Sequence, residues 1–324
     1  MALTGPECRQ VVVAALVRDG QGRYLVSQRP PGKAGSGLWE FPGGKVETGE
    51  GEREALLREL REELGIEATV AEPLPHWRAQ DPVGIRLSFW AVTAFAGVPD
   101  AREGQQIRWC TVSELACLAF LPADAPVVAR LCLPPLYLIS TAADLGEDVF
   151  LVRLAAALAR QPALVQLREP WPADRLQAFA CRVRDLCRRH GAKLLLNAPA
   201  DSVAGCADGV HLTSRRLLAL RERPLPRSLL VGASCHNAAE LAHAVSVGCD
   251  FAVLSPIQPT ASHPGAVPLG WPRFAQLAAS VALPVYALGG MTGDDLARSR
   301  SFGGQGVALR SNALMAPVDP PGKN

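Results

Sequence analysis

Residues 38–68, LWEFPGGKVETGEGEREALLRELREELGIEA, place a run of carboxylates directly after a Pro-Gly-Gly turn. The spacing of apolar residues predicts a helix over residues 52–64, and Gly65 is typical of the position where a helix ends. At about 100° per residue, one arc of this helix carries glutamates and the adjacent arc carries leucines. The glutamates are Glu52, Glu59, Glu62 and Glu63, and the leucines are Leu57, Leu60 and Leu64. We therefore expect the leucines to face a core and the carboxylates to gather beside the turn.

An acidic stripe on a helix is usually a solvated face. Two features argue against that interpretation here, namely the repulsion between the glutamates and the Pro-Gly-Gly turn that precedes the helix. Like charges one turn apart cost an exposed helix only about 0.2–0.5 kcal/mol. If the carboxylates are partly sheltered from water, two of them separated by roughly 6 Å repel each other by on the order of 2–3 kcal/mol at an effective dielectric constant near 20. A partly sheltered cluster therefore needs a cation, and carboxylate oxygens suit Mg²⁺ or Mn²⁺. Pro42-Gly43-Gly44 lets the backbone approach a ligand closely.

The spacing of the acidic residues matches a long and specific pattern. Gly44 is followed after five residues by Glu50, and after seven more by RELREELGI at residues 58–66. This arrangement resembles the Nudix box at every specified position. The preceding LWEFPGGK, residues 38–45, resembles the MutT-type branch of that family, the 8-oxo-dGTP diphosphatases. The resemblance covers about residues 9–132 and implies an α/β/α sandwich with a mixed sheet.

The resemblance implies metal-dependent hydrolysis of a nucleoside diphosphate linked to another group. Water attacks a phosphorus atom, and bound divalent ions neutralise the charge that develops on non-bridging oxygens. The implied cofactor is Mg²⁺, with Mn²⁺ as the alternative. The implied metal ligands are the carbonyl of Gly43 and the carboxylates of Glu59, Glu62, Glu63 and Glu103. Glu103, in REGQQIRW, would also activate water, Arg58 would orient the carboxylates, and Glu50 would support Arg58.

The residues that would bind the substrate follow from the same resemblance. Arg29 and Lys45 are candidates for the phosphate tail, with an ordinary surface role as the alternative. Phe41 is a candidate for the base pocket, with a plain core role as the alternative. FLPADAPVVARL, residues 120–131, resembles the segment in which MutT enzymes read the oxidised purine with an asparagine, but this sequence has Asp124. A protonated Asp124 donates and accepts hydrogen bonds, whereas an ionised one only accepts. The replacement of this asparagine by Asp124 therefore affects the expected selectivity for 8-oxoguanine and not the expected hydrolysis.

CLPPLYLIS, residues 132–140, marks a boundary because two consecutive prolines cannot lie inside a helix or a central strand. The predicted domains are residues 1–133 and 134–324. In the first, strands are predicted at 11–17, 24–27, 85–93 and 106–111, with a short helix after Pro122. In the second, apolar runs recur at 136–141, 163–168, 193–197, 209–212, 229–234, 251–255, 284–288 and 306–310. Helical stretches between them indicate parallel βα units and a closed barrel, with an open doubly wound sheet as the alternative.

Five fragments of the second half resemble the thiamine monophosphate synthase and TenI family of (β/α)8 barrels. They are VQLRE, GVHL, VGASCH, VLSPIQPTASHPGA and YALGGM. The resemblance covers about residues 136–314 and implies candidate site residues at strand ends. These are Arg168, Asn197, Ser234, His236, Thr260, Gly289 and Gly290. The glycine amides are candidates for a phosphate, and His236 matches the histidine that transfers protons in TenI-type tautomerases. A structural role for His236 is the alternative, and His211 is interpreted as a packing residue.

This half departs from the synthase pattern where a metal is expected. Arg168 is followed by Glu169-Pro170, so the expected lysine is absent, and Asn197 is followed by Ala198 rather than an aspartate. The family pattern has a further acidic residue shortly after the GVHL strand, and in this sequence Arg216 occupies that position. Without these two acidic groups, pyrophosphate charge has no Mg²⁺ partner. The sequence therefore predicts no synthase activity in the second half.

Composition narrows the remaining possibilities. The 324 residues carry a net charge of +2 spread along the chain, which gives no reason to expect stable binding to nucleic acid. No apolar run approaches the roughly 20 residues of a membrane span, and no signal peptide is recognised. The nine cysteines are scattered singly, as in reduced cytoplasmic proteins. A cytoplasmic enzyme acting on a small nucleotide is expected, and the oligomeric state is not predicted.

Two enzymatic hypotheses follow. The leading one is hydrolysis of 8-oxo-dGTP and related oxidised purine nucleotides to the monophosphate and pyrophosphate, which would prevent mutation. The alternative uses the fusion: the first half would hydrolyse a pyrophosphate of the thiamine pathway. In that case the barrel would act as a tautomerase or as a module that binds a phosphorylated ligand.

Overall fold

The chain folds into two compact units that meet in sequence between Cys132 and Leu133. This computed structural model describes residues 10–80, 85–203, 205–260 and 265–310. The eight cysteines within those ranges are all free thiols. No helix in the same ranges is both long and apolar enough to cross a membrane.

The first unit contains two sheets and three helices. The strands are β1 (Gln10–Val17), β2 (Tyr24–Gln28), β3 (Trp39–Glu40), β4 (Gly43–Lys45), β5 (Glu67–Gln80), β6 (Ile85–Ala96) and β7 (Gln106–Cys110). The helices are α1 (Glu52–Leu64), α2 (Val112–Leu115) and α3 (Ala125–Cys132). One sheet is mixed, with the order β4-β1-β6-β5, and the other has the order β3-β2-β7. Only β1 and β6 pair in parallel within the mixed sheet.

The two faces of β1 explain why helices cover both sides of the mixed sheet. Side chains alternate between faces along a strand. Val13 and Val17 belong to the core cluster that includes the leucines of α1. Ala14 and Leu16 belong to the cluster that includes the valines of α3. The predicted sandwich with a mixed sheet is therefore confirmed.

Three strands of this unit, β3, β4 and β5, are not among those predicted from the sequence. β5 contains Pro73 and Pro75, which count against a strand, but β5 is an edge strand where proline is tolerated. Its register with β6 shifts between Pro73 and Arg78. β3 and β4 are too short to show periodicity, and the Gly-Gly turn is itself part of β4, where Gly44 pairs with Val13.

The second unit is a closed barrel of eight parallel strands. The strands are β8 (Leu136–Ile139), β9 (Ala163–Leu167), β10 (Lys193–Leu196), β11 (Gly209–Leu212), β12 (Leu230–Cys235), β13 (Phe251–Leu254), β14 (Val285–Ala287) and β15 (Gly306–Arg310). β15 pairs with β8 and closes the ring. The closed barrel is therefore confirmed, and the open doubly wound sheet was the wrong alternative.

The helices of the barrel follow the strands in sequence. They are α4 (Ala142–Leu145), α5 (Glu147–Arg160), α6 (Ala173–Arg189), α7 (Ser214–Leu218), α8 (Ala238–Val247), α9 (Gly270–Ala279) and α10 (Asp295–Ser301), with a 3₁₀ turn at Ala200–Val203. Tyr137, Phe251 and Tyr286 fill an inner core between the strands. A larger cluster joins the outer strand faces to the helices. Because parallel strands share one direction, all their carboxyl ends open at the same mouth.

Candidate functional site

Helix α1 spans the predicted residues 52–64 and has defined ends. The backbone N–H of Gly51 donates to Glu54 Oε2 at 3.0 Å, and Gly65 adopts the left-handed conformation with φ of 67°. Leu60 and Leu64 are fully buried on the core side as predicted, but the third buried leucine is Leu56, and the predicted Leu57 is only partly buried. The carboxylates beside them are thereby directed to the turn, except that of Glu52. Its oxygens bind Arg86 and Ser88 of β6 at 2.8 and 2.6 Å, so Glu52 takes no part in the site.

Two carboxylates of α1 converge on the backbone of β4. Glu63 Oε2 accepts a hydrogen bond from the N–H of Gly43 at 3.1 Å. A Cβ on Gly44 would lie 2.3 Å from the carboxylate carbon of Glu59, so that carboxylate lies directly over Gly44. A Cβ on Gly43 would lie 2.1 Å from the carbonyl oxygen of Val13. The Gly-Gly pair thus lets the strand pack against β1 on one side and receive carboxylates on the other.

Arg58 ties the carboxylates together. Its Nε and Nη2 donate to the two oxygens of Glu50 at 3.0 and 3.1 Å, and Nη1 donates to Glu59 at 2.9 Å and Glu62 at 3.1 Å. Nη2 also donates to the carbonyl of Lys45 at 3.0 Å. These hydrogen bonds raise the pKa of Arg58 and lower the pKa of Glu50. The structure therefore gives Arg58 and Glu50 the geometry expected of orienting groups.

Glu103 is held beside this cluster by residues that the sequence analysis missed. Its carboxylate pairs with Lys33 Nζ at 3.0 Å. The side chain of Gln105 accepts from the Glu103 N–H at 2.7 Å and donates to the carbonyl of Glu63 at 3.0 Å. Gln105 is buried and links the Glu103 loop to the end of α1. An isolated glutamine in sequence carries no signal of such a link.

In the second unit, the candidate residues lie at the mouth of the barrel. Arg168, Asn197 and His236 each follow the last residue of a strand, and Ser234 lies near the end of β12. His236 Nδ1 lies 3.0 Å from Glu240 Oε2, and the side chain of His236 is 48% exposed. Since a carboxylate can only accept, a neutral His236 keeps its hydrogen on Nδ1 and leaves Nε2 as an acceptor.

The glycine pair at the mouth has a packing explanation. A Cβ on Gly289 would lie 2.9 Å from Pro256, and one on Gly290 would lie 2.5 Å from the carbonyl of Pro259. Both glycines also have positive φ. They allow close contact with the segment after β13, which includes the partly buried Thr260. Packing therefore accounts for both glycines, and phosphate binding by their amides remains a prediction.

Comparison with known proteins now identifies both units. Residues 9–131 match the family described as NUDIX domain, and residues 136–313 match the family described as thiamine monophosphate synthase. The chain belongs to both families. It joins an N-terminal Nudix hydrolase domain to a C-terminal barrel domain of the thiamine monophosphate synthase family.

Three relatives show how each domain is covered. A CTP pyrophosphohydrolase of Escherichia coli strain K12 is 47% identical over 120 residues, which are 37% of this chain and 87% of the relative. An 8-oxo-dGTP diphosphatase of Haemophilus influenzae is 38% identical and covers 37% of this chain and 89% of the relative. A putative thiamine-phosphate synthase 2 of Aquifex aeolicus is 37% identical and covers 54% of this chain and 95% of the relative.

The acidic cluster of the Nudix domain has the electrostatics of a site that accepts a cation. Burial, together with the charges of Glu59, Glu103 and Glu40, raises the pKa of Glu63 to about 8. Burial also raises the pKa of Glu59, against the opposing effect of Arg58. Among the described residues, the carboxylate of Glu63 receives a single hydrogen bond, that of the Gly43 N–H.

The same cluster fits a divalent metal, the cofactor class of Nudix hydrolases. Within the described ranges, no three acidic, histidine or cysteine side chains already stand as a preformed metal cage. The donor set is nevertheless of the hard-oxygen type, and a cation would offset both the burial of the Glu63 charge and its repulsion by the neighbouring glutamates. Glu59, Glu62, Glu63 and Glu103 are the carboxylates that would hold it.

The candidate base pocket combines aromatic packing with a buried acid. The ring of Phe41 lies 5.5 Å from that of Phe120 and 6.3 Å from that of Phe89. Asp124 is 3% exposed, and burial, with the nearby charge of Glu40, raises its pKa to about 8. The N–H of Phe41 donates to the Asp124 carboxyl and partly opposes that rise.

Arg29 and Lys45, the two predicted phosphate-binding residues, differ in the contacts that their side chains make. Arg29 Nε donates to Glu40 at 2.9 Å, and its Nη1 donates to the carbonyl of Ala34 at 2.6 Å. Lys45 is exposed at the end of β4. Lys45 is therefore accessible to a ligand, whereas two nitrogens of the Arg29 guanidinium are already engaged by Glu40 and Ala34.

Proposed function

We propose that the Nudix domain is a Mg²⁺-dependent nucleoside triphosphate diphosphatase of the MutT type. Its substrates are 8-oxo-dGTP and related oxidised purine nucleotides, its products are the monophosphate and pyrophosphate, and its role is to prevent mutation. The observation that carries the proposal is the convergence of Glu59 and Glu63 on the Gly43-Gly44 backbone, with Arg58 holding Glu59 in place.

The chain's own residues divide the work. The divalent ion, when bound, neutralises charge that develops on the non-bridging oxygens. Its proposed ligands are Gly43, Glu59, Glu62, Glu63 and Glu103. Arg58 orients the carboxylates, Lys45 holds the phosphate tail, and Glu103 accepts a proton from the attacking water. Gln105 fixes the backbone from which Glu103 acts.

Asp124 is also compatible with cytidine nucleotides as a second substrate class. With its pKa near 8, the Asp124 carboxyl is largely neutral at pH 7, so it can donate and accept at once. The pairing edge of cytosine offers an acceptor at N3 and a donor at its amino group. The relative named CTP pyrophosphohydrolase supports the same class.

A substrate screen on the full chain tests these proposals. Phosphate and pyrophosphate release would be measured with Mg²⁺ from 8-oxo-dGTP, dGTP, CTP and hydroxymethylpyrimidine diphosphate. We expect 8-oxo-dGTP to be hydrolysed faster than dGTP, and Glu62→Gln and Glu63→Gln to abolish turnover. Glu67→Gln is the matched control, because Glu67 lies on the surface and its one ion pair in the described part of the chain is with Arg61. Faster hydrolysis of CTP would select the second class.

Other results of the screen would overturn the proposal. Nucleotide hydrolysis that survives Glu62→Gln and Glu63→Gln would remove the proposed metal site from the reaction. Hydroxymethylpyrimidine diphosphate as the best substrate would instead support a role of the Nudix domain in thiamine metabolism.

We further propose that the barrel domain lacks thiamine phosphate synthase activity. Ala198 and Arg216 stand where the family resemblance places acidic groups for Mg²⁺. The His236–Glu240 pair leaves Nε2 as a proton acceptor at the mouth, which favours a tautomerase over a module that only binds a ligand. Thiamine phosphate formation by the full chain from hydroxymethylpyrimidine diphosphate and thiazole phosphate would refute the first claim.

A further inference from the structure

A chain of hydrogen-bonded polar side chains crosses the inside of the barrel and ends at Ser234, a candidate site residue by family resemblance, and the buried members of the chain have no role so far. Gln166 Nε2 donates to the hydroxyl oxygen of Tyr137 at 3.1 Å. The same hydroxyl lies 3.0 Å from Nδ1 of His211, and His211 Nε2 lies 2.8 Å from Ser234 Oγ. Gln166, Tyr137 and His211 are buried, whereas Ser234 is partly exposed. This hydrogen-bond chain therefore runs from the inner core of the barrel to its mouth.

The donors and acceptors give this chain a direction. The Tyr137 hydroxyl accepts from Gln166, so its single hydrogen is donated to Nδ1 of His211. Burial and the nearby charge of Arg168 lower the pKa of His211 to about 3, which keeps the ring neutral. A neutral ring that accepts at Nδ1 carries its hydrogen on Nε2. His211 therefore donates to Ser234.

With the hydrogens of the chain placed in this way, two groups at the mouth of the barrel can still donate hydrogen bonds to a ligand. Ser234 Oγ accepts from His211, and its own hydrogen has no acceptor among the described residues. The Arg168 guanidinium, whose charge acts on His211, likewise makes no hydrogen bond or ion pair in the described part of the chain. A hydroxyl donor and a guanidinium together suit an anionic oxygen.

We propose that His211 is a positioning residue: locked with its hydrogen on Nε2, it turns the Ser234 hydroxyl into a dedicated donor to an anionic ligand oxygen. Binding of that ligand needs no divalent metal, since the barrel has Ala198 and Arg216 at the expected acidic positions. The ligand class is a phosphorylated small molecule, one of whose phosphate oxygens accepts the hydrogen of Ser234.

The tautomer of His211 is the first test. Long-range ¹H–¹⁵N spectra of the full chain with labelled histidine would show which ring nitrogen carries the hydrogen, and His211→Asn would assign the signals. We expect a protonated Nε2 and an unprotonated Nδ1. Tyr137→Phe should abolish the preference for a hydrogen on Nε2. Tyr286→Phe should not, because the Tyr286 hydroxyl donates to the carbonyl of Pro134 and is not part of the hydrogen-bond chain. A hydrogen on Nδ1 would overturn the proposal.

Ligand binding is the second test. Inorganic phosphate would be titrated in the presence of EDTA while the His211 ring signals are followed, so that only the barrel site is observed. We expect saturable shifts, an affinity about tenfold weaker in Ser234→Ala, and retention of binding in Ser234→Thr. Shifts that require Mg²⁺, that are absent in the wild type, or that survive Ser234→Ala unchanged would overturn the proposal.

Discussion

At the scale of single residues, the partly buried carboxyl group of Glu63 and the buried one of Asp124 differ in what surrounds them. Glu63 lies among other glutamates, and a cation would restore its charge. Asp124 lies against the backbone of Phe41 in an aromatic pocket, where the neutral acid is favoured. We therefore propose different roles for the two groups, metal binding for Glu63 and hydrogen bonding to a base for Asp124.

Gln105 provides a direct test of positioning in the Nudix domain. Gln105→Ala removes both hydrogen bonds that fix the Glu103 loop to α1. We expect kcat to fall roughly tenfold to a hundredfold with little change in KM, because a displaced base loses alignment. Steady-state kinetics would measure this. Gln106→Ala, at an exposed neighbouring position, should be nearly silent, and equal effects of the two variants would contradict the role.

His211 predicts a pH dependence of stability. Its folded pKa of about 3 lies below the ordinary value of 6.5, so the unfolded state binds the proton first as the pH falls. The free energy of unfolding should therefore drop below pH 6.5, with a loss of about 2 kcal/mol from His211 at pH 5. Tyr137 and Arg168 are the titratable or charged groups that face it.

Urea unfolding at pH 5 and pH 7.5 would measure this loss. His211→Asn should lower stability at both pH values but reduce the difference between them. His190→Asn, at an exposed position, should leave the difference unchanged. A pH difference that is the same in wild type and His211→Asn would show that His211 is not neutral in the folded barrel.

At the scale of elements, the packing of α1 over β4 creates the site. α1 was predictable because a thirteen-residue helix carries its own periodicity and a terminal glycine. β4 was not, because its three residues acquire strand geometry only by pairing with β1. β5 escaped prediction because its prolines are tolerated only at a sheet edge, which is a property of the whole sheet.

The two glycines of β4 should respond differently to substitution. Gly44→Ala places a methyl group against the movable Glu59 carboxylate, so activity should fall at least about tenfold while the melting temperature changes little. Gly43→Ala places it against the backbone of Val13, and we expect a loss of about 2 kcal/mol or more in unfolding free energy.

Activity assays and thermal melts of the three variants would separate these effects. Gly20→Ala is the control, since no atom lies within 4 Å of its added carbon. An active Gly44→Ala variant would mean that Glu59 need not lie over β4 for catalysis.

At the scale of the whole molecule, each domain has its own hydrophobic cores and its own polar site. The closed ring of eight strands could be predicted because each βα unit repeats the same apolar pattern. The Gln166–Tyr137–His211–Ser234 chain could not, because four strands contribute one residue each and none is distinctive alone. Sequence patterns report what is local or repeated, whereas contacts across elements require the fold.

Separate cores predict separable functions. Glu63→Gln should abolish nucleotide hydrolysis and leave the ring signals of His211, with their response to phosphate, unchanged. The same labelled protein can be used for kinetics and for spectra. A change in the His211 signals caused by Glu63→Gln would instead show that the two domains are coupled.

The central claim is that the carboxylates beside the Gly-Gly turn gather divalent ions for phosphoanhydride hydrolysis. The most direct measurement is the anomalous difference map of a crystal of the full chain soaked in Mn²⁺. We expect a peak beside Glu59, Glu62 and Glu63, next to the carbonyl of Gly43. A map with no peak at that position would contradict it.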